Sequence, residues 1–171
     1  MKLDDLKFLK VKIEEHPTRN IKLEFLDKPN AIAALILNYE EDKVLLVEQY
    51  RPGVSKKLLE IPAGIIENNE ESDETLKREV REETGYKIDS FNILYKPSVP
   101  LVLSPGYTSE ELYVYIIKLK SQNEIVYEKE LDEGEDLESY WYPINEIKKI
   151  TNDFKTHYAL ELYKNLKNGV N

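Results

Sequence analysis

Cysteine is missing from this 171-residue chain. No disulfide can form and no thiol can act as nucleophile or metal ligand, which fits a reducing compartment. Long apolar runs are missing too. No stretch could span a membrane, and the opening Met1-Lys2-Leu3-Asp4-Asp5 lacks the apolar core of a secretory signal. The expectation is a cytoplasmic protein. Positive charge is scarce: 24 Lys and Arg stand against 33 Asp and Glu, a net −9. A sequence-independent nucleic-acid binder needs the opposite balance. Nucleic acid and membrane are therefore not expected as partners, whereas a small anionic ligand is admissible if cations screen the acids locally. Neither His16 nor His157 has a partner at metal-ligand spacing, and no internal repeat or low-complexity tract is present. What remains is enough for one domain with a core, since 41% of residues are hydrophobic.

The apolar run at 31–37 reads as a buried strand. Glu40-Glu41-Asp42 reads as a turn, residues 44–49 as a second strand, and Pro52-Gly53 as its exit. Ser72 is placed to cap a helix, with Asp73 and Glu74 in its first turn. Leu76 and Val80 give that helix an apolar stripe opposite part of its acidic face, and Gly85 supplies a left-handed stop. Strands follow at 88–96, 112–119 and 140–142, with Trp141 and Tyr142 as sheet core. Pro97, Pro100 and Pro105 keep their segment out of any central strand. Helices are expected at 144–150 and 155–166, the latter with Tyr158, Leu162 and Leu166 on one face. Strands interleaved with three helices predict an α/β (α+β) chain with a mixed sheet between helical layers.

Residues 64–86 carry the chemistry, with eight acidic and three basic side chains. Glu79, Glu82 and Glu83 stand at i, i+3 and i+4 of the predicted helix, so three carboxylates share a face and repel one another. An acidic amphipathic helix is ordinarily a solvated face. The cluster gains a purpose if hard divalent cations such as Mg²⁺ neutralise it and then meet a phosphate.

The stretch resembles the signature of the Nudix hydrolases, G-x5-E-x7-R-E-U-x-E-E-x-G-U, with U a bulky aliphatic. Gly64, Glu70, Arg78, Glu79, Val80, Glu82, Glu83 and Gly85 fall on its positions, and Tyr86 replaces the final aliphatic. So many fixed spacings make a specific match. Gln49-Tyr50-Arg51-Pro52, Glu60-Ile61-Pro62-Ala63-Gly64, Ser104-Pro105-Gly106 with Glu110 downstream, and Asp132-Glu133-Gly134-Glu135-Asp136 are similar to the ADP-ribose pyrophosphatase branch. The resemblance covers roughly residues 30 to 165. It implies an α/β/α sandwich over 31–171, with residues 1–30 as N-terminal strands exchanged in a homodimer.

The resemblance also implies roles. Glu79 and Glu83 are the principal Mg²⁺ ligands, Glu82 a third, and the carbonyl of Ala63 a further one, with Mn²⁺ able to substitute. Arg78 orients the carboxylates, Glu70 supports the loop-helix geometry, and Gly64 adopts a backbone conformation that a side chain would block. Arg51 suits bidentate contact with a diphosphate. Glu60 meets ribose hydroxyls or orients Arg51, and Glu110 lies near the metals or the terminal ribose. The general base is Glu133 or Glu135, with Glu135 preferred. The implied reaction is Mg²⁺-dependent hydrolysis of ADP-ribose, a small nucleotide substrate, to AMP and ribose 5-phosphate. Alternatives are another nucleoside-diphosphate sugar, a non-catalytic nucleotide sensor, for which damaged metal ligands are expected, and capped RNA, which the charge disfavours.

Overall fold

The computed structural model describes residues 9–131 and 136–169. Its elements in chain order are β1 (Val11–Glu15), β2 (Lys22–Leu26), β3 (Ala31–Leu37), β4 (Lys43–Arg51), β5 (Lys56–Glu60), β6 (Ala63–Ile65), α1 (Ser72–Thr84), β7 (Phe91–Tyr95), β8 (Leu101–Val102), β9 (Glu111–Leu119), β10 (Leu137–Pro143), α2 (Ile147–Ile150) and α3 (Phe154–Lys167).

The apolar run at 31–37 sets the layers. All seven residues of β3 are buried, because successive side chains of a strand point to opposite faces and both faces are covered. Ile32, Ala34 and Ile36 join Leu76 and Val80 of α1 in one core. Ala31, Ala33, Leu35 and Leu37 join Ala159, Leu160 and Tyr163 of α3 in the other. β9 divides the same way, with Tyr115 and Ile117 toward α1, and Val114 and Ile116 toward α3. Each fully buried Leu or Ile stabilises the fold by about 1.5–3 kcal/mol. The result is a sheet with helices on both faces, as the sequence predicts.

The sheet runs β10-β4-β3-β9-β7, with β5 on β4, β6 on β3 and β8 on β9. β3 and β9 are parallel, and the other pairs are antiparallel. β3 and β4 are paired only at Ile36↔Leu45 and Leu37↔Val44. Beyond that they part. β4 continues against β5, from Val47↔Glu60 to Arg51↔Lys56, while the start of β3 pairs with β6. Ala34 N–H donates to the Pro62 carbonyl at 2.9 Å where the fork opens. The fork brings the end of β4 and the Ala63-Gly64 start of β6 beneath α1.

Three details of α1 and the strand after it differ from the sequence reading. The N-cap of α1 is Glu71, not Ser72. The Glu74 carboxylate accepts from Glu71 N–H at 3.0 Å, while Ser72 Oγ and Asp73 Oδ1 each lie 2.8 Å from the Tyr115 hydroxyl. Burial, with Asp73 alongside, pushes that phenol up to about 12. Second, Glu79 and Glu83 are not opposite the Leu76/Val80 stripe but share its inward side, at 8% and 2% exposure. Third, the region 88–96 begins with a 3-10 turn at Ile88–Ser90, and the strand is confined to Phe91–Tyr95. Gly85 ends α1 with φ +77°, as expected. Trp141 and Tyr142 pack, half-buried, against the two cores.

β1 and β2 form a separate two-stranded sheet. It is tied to the Ser104-Pro105-Gly106 loop, where Leu26 N–H donates to the Tyr107 carbonyl at 2.9 Å and Ser109 N–H to the Leu26 carbonyl at 3.0 Å.

At the far end of the sheet, the β3–β4 turn places Glu41 at φ +62°, a conformation that disfavours side chains. Its carboxylate accepts from Lys118 at 2.6 Å, Lys167 at 2.7 Å and the Tyr163 hydroxyl at 2.5 Å. The Lys118 hydrogen bond, followed by those of Lys167 and Tyr163, lowers the carboxyl from an ordinary 4.5 to about 2. A depressed pKa adds stability that is complete above pH 4.5 and is lost as pH falls toward 2. Glu41→Gln should therefore melt below the parent at neutral pH, with the two melting temperatures converging between pH 4.5 and 2. Thermal melts followed by circular dichroism across that range check this; a gap independent of pH would reject it.

Candidate active site

The fork and α1 enclose a cleft of about 350 Å³, lined by Gln49 and Arg51 of β4, by Ala63, Gly64 and Ile65 of β6, and by Glu67, Arg78, Glu79, Glu82 and Glu83. The structure thus brings the helical glutamates, Arg78, Arg51 and the Ala63-Gly64 start of β6 to one place.

Two buried carboxylates are expensive unless compensated. Glu83 Oε2 accepts from the Ala63 N–H at 3.1 Å, which ties the helix to the loop. Glu79 lies 2.6 Å from Arg78 Nη1, and Glu82 lies 3.0 Å from the same nitrogen. Arg78 also donates through Nε and Nη2 to Glu70, each at 3.1 Å, and through Nη2 to the Ile65 carbonyl at 2.9 Å. The Glu70 hydrogen bonds, set against burial and reinforced by Glu79 and Glu82, hold the guanidinium above its ordinary range. In return Arg78 draws Glu70 down to about 2. Glu70 also accepts from Glu67 N–H at 3.1 Å, closing the loop before α1.

Gly64 is required for a reason other than backbone conformation. It has no positive φ, but a Cβ there would sit 1.7 Å from Glu79 Oε1. Its lack of a side chain makes room for the carboxylate.

Arg51 and Glu60 lie at opposite ends of the β4–β5 ladder, and their side chains meet. Glu60 Oε1 accepts from Arg51 Nε at 2.5 Å, and Oε2 from Nη2 at 3.1 Å. Both residues line a larger cavity of about 580 Å³, which shares Arg51, Ala63, Gly64 and Ile65 with the cleft. Glu110 also lines this larger cavity, paired with Lys28 at 2.6 Å. Glu133 and Glu135 lie outside the described residues. The segment leading toward them is anchored to the end of α1: Arg81 Nη1 donates to the Glu128 carbonyl at 2.6 Å, and Tyr127 N–H to the Gly85 carbonyl at 2.9 Å.

Sequence reasoning missed Lys155, which lines the larger cavity and reaches Glu60 Oε2 at 2.6 Å. It also missed Asp153, the N-cap of α3. An Asp just before a helical pattern was the available signal.

The cleft's carboxylate oxygens, from Glu79, Glu82 and Glu83, are of a chemistry that suits a hard divalent cation. Among the described residues, no group of three or more His, Cys, Asp or Glu is gathered for a metal ion; Glu79 and Glu82 here share the Arg78 guanidinium. The residues fit such an ion by their chemistry and their common cleft.

A mixed sheet between helices, with an acidic helix closing the fork of two central strands, is the architecture of a Nudix-class α/β/α sandwich. The NUDIX domain profile matches residues 27–162, and the chain belongs to the Nudix hydrolase family. It is 32% identical over 157 residues to an ADP-ribose pyrophosphatase of Bacillus subtilis, covering 87% of this chain and 79% of that one. It is 35% identical over 116 residues to a methanol dehydrogenase activator of Bacillus methanolicus, covering 68% of this chain but only 60% of the activator. The fold matches the crystal structure of an ADP compounds hydrolase with TM-score 0.73 at 21% identity, over 96% of this chain and 89% of that one. No helix among the described residues is long and apolar enough to cross a membrane.

Gly64→Ala should displace the Glu79 carboxylate while leaving the two cores intact. The expected result is a loss of about 10- to 100-fold in turnover with a melting temperature close to the parent's. Steady-state hydrolysis assays paired with thermal melts check it, and parental turnover would mean that Glu79 is not used where it stands.

Proposed function

We propose that this chain hydrolyses the pyrophosphate bond of ADP-ribose, giving AMP and ribose 5-phosphate. The observation that carries this is the meeting of an acidic helix and an arginine fork, Arg51, across one cleft. The pyrophosphatase relative, which matches most of the chain, supports the choice of substrate.

A diphosphate resists attack because its oxygens repel a nucleophile, so catalysis must neutralise charge and hold the chain in line. Bound Mg²⁺, with Mn²⁺ able to replace it, would supply charge neutralisation and water activation. Glu79 and Glu83 would hold it, with Glu82 and the Ala63 carbonyl completing the set. Arg78 positions Glu79 and Glu82, and its guanidinium would compete with a bound cation for them. Arg51 has five N–H donors; among the described residues Glu60 takes two of them, and a fork of this kind suits phosphate oxygens. Glu110 and Lys28, in the larger cavity, offer an acceptor and a donor to sugar hydroxyls. The proton of the attacking water goes to Glu135, with Glu133 as the second choice; both assignments rest on the sequence.

That sugar-facing pair also favours a second reading, hydrolysis of another nucleoside-diphosphate sugar, which differs only in contacts on the sugar side. A non-catalytic sensor is disfavoured because Glu79, Glu82 and Glu83 are all retained. A cysteine-free chain suits a reducing compartment, and we assign the reaction to the cytoplasm.

We also propose a homodimer with exchanged N-terminal segments. Val11, Ile13, Ile21 and Leu23 are 41–60% exposed on or beside the β1–β2 hairpin, and an isolated two-stranded hairpin is marginal in water. Sedimentation at micromolar concentration should show a dimer; monomer alone would refute it.

Incubation with ADP-ribose and Mg²⁺ should release AMP and ribose 5-phosphate, ahead of other nucleoside-diphosphate sugars when ranked by kcat/KM. Folded protein that releases no AMP ends the proposal. Glu83→Gln should lose at least about 100-fold in kcat while its melting temperature holds or rises slightly, since one like-charge repulsion disappears. Near-parental turnover in that variant would overturn the metal assignment.

A further inference from the structure

We propose that Lys155 is a positioning residue for Arg51, acting through Glu60; this rests on the reading of Arg51 as the group that meets the diphosphate. Glu60 is 2% exposed, and a carboxylate so deeply buried demands close compensation. Arg51 compensates it from one side. Lys155 Nζ compensates it from another, at 2.6 Å from Oε2, the same oxygen that accepts from Arg51 Nη2 at 3.1 Å. Two cations on one carboxylate fix its plane, and a fixed plane fixes the arginine fork that reads it.

Lys155 is itself seated. Its Nζ lies 2.9 Å from Asp153 Oδ1. Asp153 is held as the cap of α3, where Oδ2 accepts from Thr156 N–H at 2.9 Å and from Thr156 Oγ at 2.7 Å. Thr156 Oγ accepts from the Ile61 N–H at 3.0 Å, and Thr151 Oγ donates to the Leu59 carbonyl at 2.5 Å. The consecutive residues Leu59, Glu60 and Ile61 are therefore gripped by Thr151 and the start of α3, two residues before Ala63. Removing the ammonium would leave Glu60 and Asp153, which share it, as neighbouring carboxylates with no cation between them, so that they repel in a low-dielectric setting. Glu60 would then turn away and Arg51 would lose its fork.

The test compares Lys155→Met, Lys155→Arg, Asp153→Asn and Arg51→Lys on whichever nucleoside-diphosphate compound the parent turns over fastest. Lys155→Met should raise KM about 10-fold or more, with kcat changed far less, as expected for lost binding. Lys155→Arg should recover most of this. In the Arg51→Lys background, Lys155→Met should cost less than about 2-fold further, because both act on one contact. A readout independent of turnover is the Arg51 Nε–H signal in ¹H–¹⁵N spectra, assigned by its loss in Arg51→Lys. It should exchange slowly in the parent and in Lys155→Arg, and broaden or vanish in Lys155→Met. Should Lys155→Met fail to fold, Asp153→Asn, which unseats Lys155, should weaken the same signal. A parental Nε–H signal in the folded lysine variant, or in Asp153→Asn if that variant alone folds, overturns the proposal, as do losses that multiply with Arg51→Lys. A parent without turnover sinks the catalytic reading alone, and the Nε–H signal still decides the positioning role.

Discussion

The Arg78 guanidinium donates to Glu70, Glu79, Glu82 and the Ile65 carbonyl. Without it, the carboxylates along α1 would repel one another and Glu79, at 8% exposure, would be a poorly compensated buried charge. With it, the loop from β6 to α1 and the helix itself close on one planar cation. Glu83 adds a second tie, to the Ala63 N–H. The acidic cluster can therefore persist in a folded protein before any ligand arrives, and the position of Ala63 and Gly64 depends on the same contacts.

The forked sheet explains why these groups meet Arg51. β4 leaves β3 after two paired positions and continues with β5, while β6 takes its place on β3. Arg51 at the end of β4 and Gly64 on β6 then approach from different strands. The helix spans them from above, and the larger cavity opens beside them. Burial on both faces of β3 supplies the rigidity such a site needs.

Much of this was legible in the sequence because it was written in local patterns. The apolar run at 31–37 is short enough to read as a buried strand, and the i, i+3, i+4 spacing of Glu79, Glu82 and Glu83 puts them on one face of the predicted helix. Gly85 was readable because a left-handed stop is a local event. Ser72 was misread because its oxygen is taken by Tyr115, 43 residues away, and no local rule reports that. The inward placement of Glu79 and Glu83 was missed for a similar reason: the Ala63 N–H and Arg78 make their burial tolerable, which is a tertiary matter. Gly64 carried the right identity but the wrong reason, since the approach of Glu79 decides it. Lys155 and Asp153 stood outside every motif, and only the hydrogen bonds that join the start of α3 to residues 60 and 61 bring them to Glu60.

Glu41 carries a lesson for anyone re-engineering this scaffold. Its left-handed backbone would mark it, by conformational criteria alone, as a position to replace with glycine. Yet its side chain fastens the β3–β4 turn to β9 through Lys118 and to the C-terminal helix through Tyr163 and Lys167. A consensus-minded substitution there would relax one dihedral and unlatch three elements at the end of the sheet remote from the cleft, so dihedral statistics are a poor guide to improvement at this turn.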